Sequence, residues 1–321
     1  MLAVDRKLRE LGVLSLNRRN AEFQLVYNRR EYYPLVDDKF LTKQLAARFG
    51  VSVPRLYAMV EIERQVRDVP AALAKVEDFV IKPASGSQGL GIAVIVGRSN
   101  RFYRQADGSQ LDDDQLCEHV SHILSGIYSL GGQPDKALIE YRVKFDPVFE
   151  NVSIRGVPDI RIIVFLGVPV MAMVRLPTVE SRGKANLHQG AVGAGIDIAS
   201  GRTLSGVWHD RLVTRHPDTQ HPIDGIQIPG WERLLEIAAR SYEMTGLGYQ
   251  GIDIVLDREL GPMVLELNAR PGLAIQLANR AGLARRLEAV LAAQGTLGEV
   301  AQRIGFARER FAAPPRAALH S

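Results

Sequence analysis

Only one cysteine, Cys117, occurs in 321 residues. A single thiol excludes an internal disulfide and any zinc site built on cysteine. It falls in LDDDQLCEHVSHIL, an amphipathic helical pattern in which a thiol packs as a small hydrophobe. His and Cys clusters with metal spacing are absent, and no Ser/His/Asp set or Cys nucleophile emerges. No stretch holds 18 uncharged apolar residues, so no spanning helix and no direct membrane insertion are expected. The N-terminus MLAVDRKLREL carries charges where a signal peptide needs an apolar core, which makes the cytoplasm the expected compartment. Lys and Arg form no run and are not interleaved with aromatics, which argues against nucleic acid. Internal repeats and low-complexity tracts are also absent.

The composition that remains, 46% hydrophobic and 24% charged, is that of a globular protein long enough for a large core or two to three subdomains. A net charge of +4 favours anionic ligands such as phosphates or carboxylates. Periodicity predicts short helices in AVDRKLRELGVL and LNRRNAEFQLVYN, and a helix over 39–49 stopping at Gly50. VSVP reads as a short strand or turn, and 71–76 as a short helix. Strands are expected at 79–82 and 92–96 around a glycine-rich loop, then a polar loop over 97–111, a helix at 112–125 and a strand at 137–143. A hairpin at 159–165 and 169–176 and a loop over 178–195 follow. Helices at 231–244 and 274–293, the latter broken near Gly282, flank a second hairpin, and the tail FAAPPRAALHS reads as disordered. Hairpins in place of right-handed crossovers argue for an α+β fold with antiparallel sheets.

The most informative stretch is DIVLDRELGPMVLELNARP, 253–271. Glu266 and Asn268 share a face of the second strand. If 258–261 form the turn, Asp253 lies opposite Glu266 across the ladder. Two carboxylates and an amide without His or Cys suit a hard cation such as Mg²⁺, whose other ligands are then commonly phosphates. The plainer alternative is an amphipathic hairpin with solvated acids.

Four further elements fit a nucleotide. In FVIKPASGSQGLGI, Lys82 ends a buried strand, and Gly86, Gly89 and Gly91 let backbone N–H groups approach an anion. No helix follows these glycines, unlike a P-loop or dinucleotide-binding unit. Lys39 opens a helix behind Asp37 and Asp38, both cap candidates, and is either a phosphate contact or a solvated lysine. LIEYRV offers the Glu140 carboxylate and backbone groups to an adenine edge, or is a plain sheet strand. Arg161 sits in the apolar strand of PDIRIIVF and needs an anion: Asp159 on the same face, or a phosphate oxygen. The loop KANLHQG gathers Lys184, Asn186 and His188. Arg18, Arg19, Arg142, Arg155 and Arg175 hint at an acidic substrate, though surface solvation explains them as well.

In this order, DK, VIKP with its glycine-rich loop, IEYRV, DIR, NLHQG and D…LELNARPGL resemble the ATP-grasp superfamily over roughly 34–285. The run from PDIRIIVF to ELNARPGLAIQ is most similar to the RimK-type α-L-glutamate ligases and their alpha-L-glutamate ligase-like relatives. That resemblance implies an ATP-grasp fold of two α+β subdomains gripping ATP, with a reduced N-terminal domain. It divides the chain into a short N-terminal helical segment (1–38), an N-terminal subdomain with the lid (39–135), a C-terminal subdomain with the magnesium site (136–295), and a C-terminal helix and tail (296–321). By the same resemblance Lys39 and Lys82 contact the α- and β-phosphates. Ser85, Gly86, Ser87, Gly89 and Gly91 form the lid. Glu140, with the backbone of Tyr141 and Val143, holds adenine, and Asp146 is a candidate ribose contact. Arg161 and Lys184 face the γ-phosphate or acyl-phosphate. Asp253, Glu266 and Asn268 bind two Mg²⁺ ions, with Mn²⁺ as a substitute and Asn186 nearby. Arg270 holds the substrate carboxylate or the transferring phosphate. The implied activity is ATP-dependent, ADP-forming carboxylate–amine ligation on small-molecule or peptide substrates, adding glutamate or another amino acid to a peptide or small acid. The alternatives are a nucleotide-binding regulatory protein and an ATP-grasp phosphotransferase. Two departures stand out. Gln189 replaces the Arg usual after the His, which bears on glutamate preference. Only about 38 residues precede Lys39, so a second copy of the chain or a partner protein is expected to complete the substrate cleft.

Overall fold

The computed structural model describes residues 2–86, 89–99, 102–129 and 132–314. They divide into two compact units: Asp37–Lys144, and the residues up to Val36 together with those from Phe145 onward. Among the described residues each unit is built on one sheet, and every strand pairing is antiparallel. No helix among them is long and apolar enough to cross a membrane.

The 37–144 unit holds β1 (Leu56–Val60), β2 (Phe79–Pro83), β3 (Ala93–Ser99), β4 (Phe102–Gln105), β5 (Gln110–Leu111) and β6 (Ala137–Glu140), in the order β1-β6-β2-β3-β4-β5. Phe79, Ile81, Ile95, Tyr103 and Ile139 point into a core closed by the helix Asp113–Leu124, through Leu116, Val120 and Ile123. That helix starts on a reciprocal cap: Gln115 N donates to Asp112 Oδ1 at 2.8 Å, and Asp112 N to Gln115 Oε1 at 3.0 Å. The other unit holds β7 (Asp159–Phe165), β8 (Val168–Leu176), β9 (Val192–Ile196), β10 (Thr203–Trp208), β11 (Arg211–Val213), β12 (Tyr249–Asp257) and β13 (Gly261–Asn268), ordered β11-β10-β9-β8-β7-β12-β13. β12 is buried along its whole length. The amphipathic helix Trp231–Thr245 packs against β7, β8 and β12.

Several expectations are corrected. The polar stretch 97–111 is not a loop but carries the end of β3 with β4 and β5. The misleading sign was its polar outer residues, whereas Tyr103 is fully buried and donates to Asp113 Oδ1 at 2.8 Å. The first strand is Leu56–Val60, after VSVP, and the end of the 178–195 loop belongs to β9. The helix in LNRRNAEFQLVYN contains a π-helical stretch, Arg19–Gln24. A break at 135/136 would separate β6 from β1 and β2, its partners on either side; the packing boundary falls after Lys144 instead. Residues of the 1–38 segment up to Val36 belong with the second sheet. Phe23 and Tyr27 meet Phe165 edge-on at 5.6 and 4.9 Å. Asn28 exchanges hydrogen bonds with Tyr249, Nδ2 to O at 2.6 Å and N to Oδ1 at 2.8 Å. Arg19 Nη1 donates to Pro271 O at 2.8 Å, and Leu14 N to Gln276 Oε1 at 2.8 Å. Of the tail, 315–321 lies outside the described residues.

His216 pins the loop beyond β11. It is fully buried, its Nε2 lies 3.1 Å from Pro177 O, and its Nδ1 accepts from Asp218 N and Thr219 N at 3.3 and 3.4 Å. These partners fit a neutral ring with the proton on Nε2. Burial lowers its pKa, with the Pro177 carbonyl and Asp218 opposing; half-buried His119 shifts the same way, from the same cause. A ring that protonates less readily folded than unfolded stabilises fully above the unfolded value, about 6.5, and loses that contribution as pH falls through the folded value. The urea midpoint should therefore fall as the pH is lowered below about 6.5. His216→Gln should lower the midpoint at pH 8 and flatten this acid limb; an unchanged limb would contradict the assignment.

Candidate active site

The hairpin β12–β13 sets Asp253 opposite Glu266. It reaches that register through two one-residue differences that offset each other. The turn spans three residues, with Asp257 Oδ1 accepting from Glu259 N and Leu260 N at 3.0 Å each and Gly261 at φ 74°. Asp257 pairs with Gly261, and the ladder stays regular to Ile254–Val264; a bulge at Leu265 then restores Asp253 to Glu266. On the other side β7 places Arg161 opposite Asp253, and β8 places Arg175 opposite Asp159. Five charged side chains thus share one face of the sheet.

Asp253, 3% exposed, takes a bidentate grip from Arg161, Nε to Oδ1 at 2.7 Å and Nη2 to Oδ2 at 2.6 Å. Arg175 Nη2 adds a bond to Oδ2 at 2.8 Å, and Asn268 Nδ2 another at 3.3 Å. Arg175 also grips Asp159 at 2.5 Å from both Nε and Nη2. Burial alone would raise the Asp253 carboxyl, but Arg161 and Arg175 outweigh it and hold the pKa low. For Asp159 burial prevails over Arg175, Asp253 adds its repulsion, and the pKa rises. The sequence offers Arg161 either Asp159 or a phosphate oxygen; the register gives it Asp253 instead and assigns Asp159 to Arg175, an arginine that the sequence reads as a hint of an acidic substrate or as surface charge. Glu266 has no ion pair among the described residues and adds to the field on Arg175. Three carboxylates face two guanidiniums, leaving one formal negative charge for a cation to balance.

The donor set fits magnesium. Among the described residues Asp253 Oδ1 accepts from one donor against three on Oδ2, and Glu266 and Asn268 supply further hard oxygens. Among the described residues no three His, Cys, Asp or Glu side chains could hold a metal by themselves. An ion here needs other ligands, as the phosphates of a nucleotide would be.

Lys184 and Arg270 belong to the same unit, but among the described residues neither forms a hydrogen bond or ion pair with this cluster. Arg270 lies over the Tyr33 ring at 4.8 Å. Lys184 N donates to Ser181 O at 3.0 Å in the NLHQG loop, where Asn186 Oδ1 caps a short turn by accepting from His188 N at 3.0 Å. Asp146, the candidate ribose contact, caps its own turn through Val148 N at 2.8 Å.

The 37–144 unit gathers the lysines and the glycine-rich loop. Asp38 caps the helix Lys39–Arg48 by accepting from Phe40 N and Leu41 N at 2.7 and 3.2 Å. Lys39 Nζ then reaches Gly86 O at 2.7 Å. Gly91 has φ 71° and passes so near the Tyr128 ring that a Cβ would lie 2.5 Å from it. Gly89 also lies in the described part of this loop, whereas Ser87 is outside the described residues. The Glu140 carboxylate, expected at an adenine edge, is buried between Lys82 and Lys43. Burial raises its pKa, but the two ammonium groups outweigh this and lower it. Tyr141 N donates to Arg55 O at 2.8 Å, and Val143 is buried.

Sequence reasoning also missed Asp135. It accepts from Ser85 N at 3.1 and 2.9 Å, from Lys136 N at 2.8 Å and from Ser129 Oγ at 2.6 Å, fastening the base of the loop. Nothing in the local pattern singles it out.

A model of the sugar-transfer associated ATP-grasp family matches residues 18–292. The chain belongs to this family. With two antiparallel sheets and flanking helices, its fold is ATP-grasp, as the resemblance implied. It is 26% identical over 238 residues to a probable alpha-L-glutamate ligase of Enterobacter sp. (strain 638), covering 74% of this chain and 56% of that protein. It is 23% identical over 238 residues, with the same coverage, to a probable alpha-L-glutamate ligase of Pseudomonas putida (strain GB-1). The chain thus spans little more than half the length of these curated relatives. Among solved structures it is similar to the ATP-grasp ligase PsnB complexed with minimal precursor, at 16% identity over 84% of this chain and 63% of that one, with a TM-score of 0.45. It is also similar to the D-cycloserine synthetase DcsG, at 17% identity over 81% and 71%, with a TM-score of 0.44.

Asp135→Ala should speed amide hydrogen exchange at Ser85 and lower stability by about 1–3 kcal/mol, the scale of leaving buried donors unpaired. Unchanged exchange at Ser85 would remove Asp135 as the anchor of the loop.

Proposed function

We propose that this ATP-grasp chain is an ATP-dependent, ADP-forming carboxylate–amine ligase acting in the cytoplasm. The observation that carries the reading is the oxygen set of buried Asp253 and half-buried Glu266 and Asn268 on one sheet face with Arg161 and Arg175. Family membership and the relatives named as probable glutamate ligases support it. In the reaction a substrate carboxylate oxygen bonds to the γ-phosphorus as the bond to the β-bridging oxygen breaks, releasing ADP. An amine nitrogen then attacks the acyl carbon, phosphate departs, and the nitrogen gives up a proton to form the amide. Such chemistry needs placement and charge neutralisation rather than a protein nucleophile.

In this reading Lys39, Lys82 and the glycine-rich loop bind the phosphates, and Tyr141 and Val143 present backbone to adenine. Arg161 and Lys184 orient the transferring phosphoryl group, and Arg270, stacked on Tyr33, holds the substrate carboxylate. Asp253, Glu266 and Asn268 would hold two Mg²⁺ ions, which supply charge neutralisation at the phosphates. Gln189, in place of the usual Arg, supports an acid other than glutamate.

Glu266→Gln is the cleanest probe, because among the described residues Glu266 has no ion pair to break. Removing one electrostatic contact to a transition state costs about 10²–10³ in turnover. Asp253→Asn should lose at least as much, and also stability, because it frees two buried guanidiniums. The assay screens amino-acid and peptide pairs for Mg²⁺-dependent ADP and phosphate release, with mass spectrometry of products. Release that needs both a carboxylate and an amine, lost in Glu266→Gln, is expected. ADP formation leaving phosphate on the substrate would indicate a phosphotransferase, and nucleotide binding without turnover a regulatory protein. Normal turnover in Glu266→Gln would refute the metal assignment.

A further inference from the structure

Lys43 shares the Glu140 carboxylate with Lys82, yet it has no role in the reaction proposed above. It lies one helical turn after Lys39 on the helix Lys39–Arg48. Its side chain is 10% exposed and its Nζ is 2.7 Å from both Glu140 Oε2 and Pro54 O. Lys82, 8% exposed, holds the other oxygen of the same carboxylate. Two ammonium groups therefore share one buried carboxylate and leave a net positive charge in a place where charge is costly.

We propose that Lys43 is a positioning residue that lets Lys82 leave Glu140 for a nucleotide phosphate; the inference rests on the nucleotide reading above. With only one lysine present, moving Lys82 to phosphate would strand a buried carboxylate, the costly outcome for a broken buried pair. With Lys43 in place, the carboxylate keeps a partner when Lys82 turns away. The phosphate then neutralises Lys82, and every buried charge in the group is matched. The ligand class this serves is a nucleoside di- or triphosphate, and not a nucleoside.

The test measures binding of adenosine and of Mg²⁺–AMP-PNP by isothermal titration calorimetry to wild type, Lys43→Met, Glu140→Gln and the double variant. Lys43→Met should weaken AMP-PNP about tenfold or more, the scale of a charge-assisted hydrogen bond, and change adenosine less than about twofold. The double variant should bind AMP-PNP more tightly than Lys43→Met, because no carboxylate is left to strand. Equal losses for adenosine and AMP-PNP, or no recovery in the double variant, would overturn the proposal. Should Lys43→Met not fold, the edge from Glu140→Gln to the double variant decides: there the loss of Lys43 should cost less than about twofold, and a tenfold loss overturns it. A wild type that binds no AMP-PNP overturns the nucleotide reading itself, which is distinct from a wild type that binds and a Lys43→Met that binds equally well.

Discussion

Two guanidiniums converge on one buried carboxylate, and the chemistry of the larger unit depends on that convergence. Asp253 stands on the strand that is buried along its whole length, so its charge must be matched from within the sheet. β7 supplies Arg161 directly opposite Asp253, β8 supplies Arg175 two residues along the ladder, and β13 adds Glu266 and Asn268. This arrangement fixes the registers of β7, β8 and β12 against one another, because a slip of one residue would send each charge to the opposite face. It also leaves the cluster one negative charge in surplus. That surplus sits on half-buried Glu266, and it is the charge that the proposed cation site would use.

The N-terminal segment shows how a neighbouring loop is held. The backbone that carries Arg270 and Pro271 leaves β13 and crosses β12 at Gly251, where a Cβ would come within 2.7 Å of the Pro271 ring. Asn28, Arg19 and Leu14 fasten the far side of this stretch, at Ala269, Pro271 and Gln276. Tyr33 gives the Arg270 guanidinium a ring to lie on. Short helices that are marginal alone are thus stabilised by the same contacts with which they position the loop.

What could be read from the sequence is what depends on period and residue type. Alternation placed Glu266 and Asn268 on one face, and the pairing of Asp253 with Glu266 followed from an assumed four-residue turn. The turn has three residues, and the bulge at Leu265 makes up the difference; no glycine marks that bulge, so the agreement owes something to cancellation. Partners set by tertiary register were beyond reach. Arg175 looked like surface charge because nothing within β8 shows that Asp159 and Asp253 lie beside it. Glu140 looked like a ligand group because a carboxylate before an exposed turn reads the same whether it faces a base or two lysines. Asp135 was invisible for a similar reason: its partner Ser85 N is 50 residues away.

The two clusters carry opposite imbalances, and this bears on what each can bind. On the large sheet, carboxylates outnumber guanidiniums by one; beside β2 and β6, ammonium groups outnumber the carboxylate by one. Burial keeps either imbalance from being screened by salt as a surface charge would be. Each is therefore a standing preference for a ligand of one sign. A bare metal would satisfy only the first cluster and a bare anion only the second. Taken unit by unit, the first imbalance is what the proposed magnesium ligands would use and the second is what the proposed phosphate-binding lysines would use, so each cluster bears on its own half of the proposal and can fail without the other.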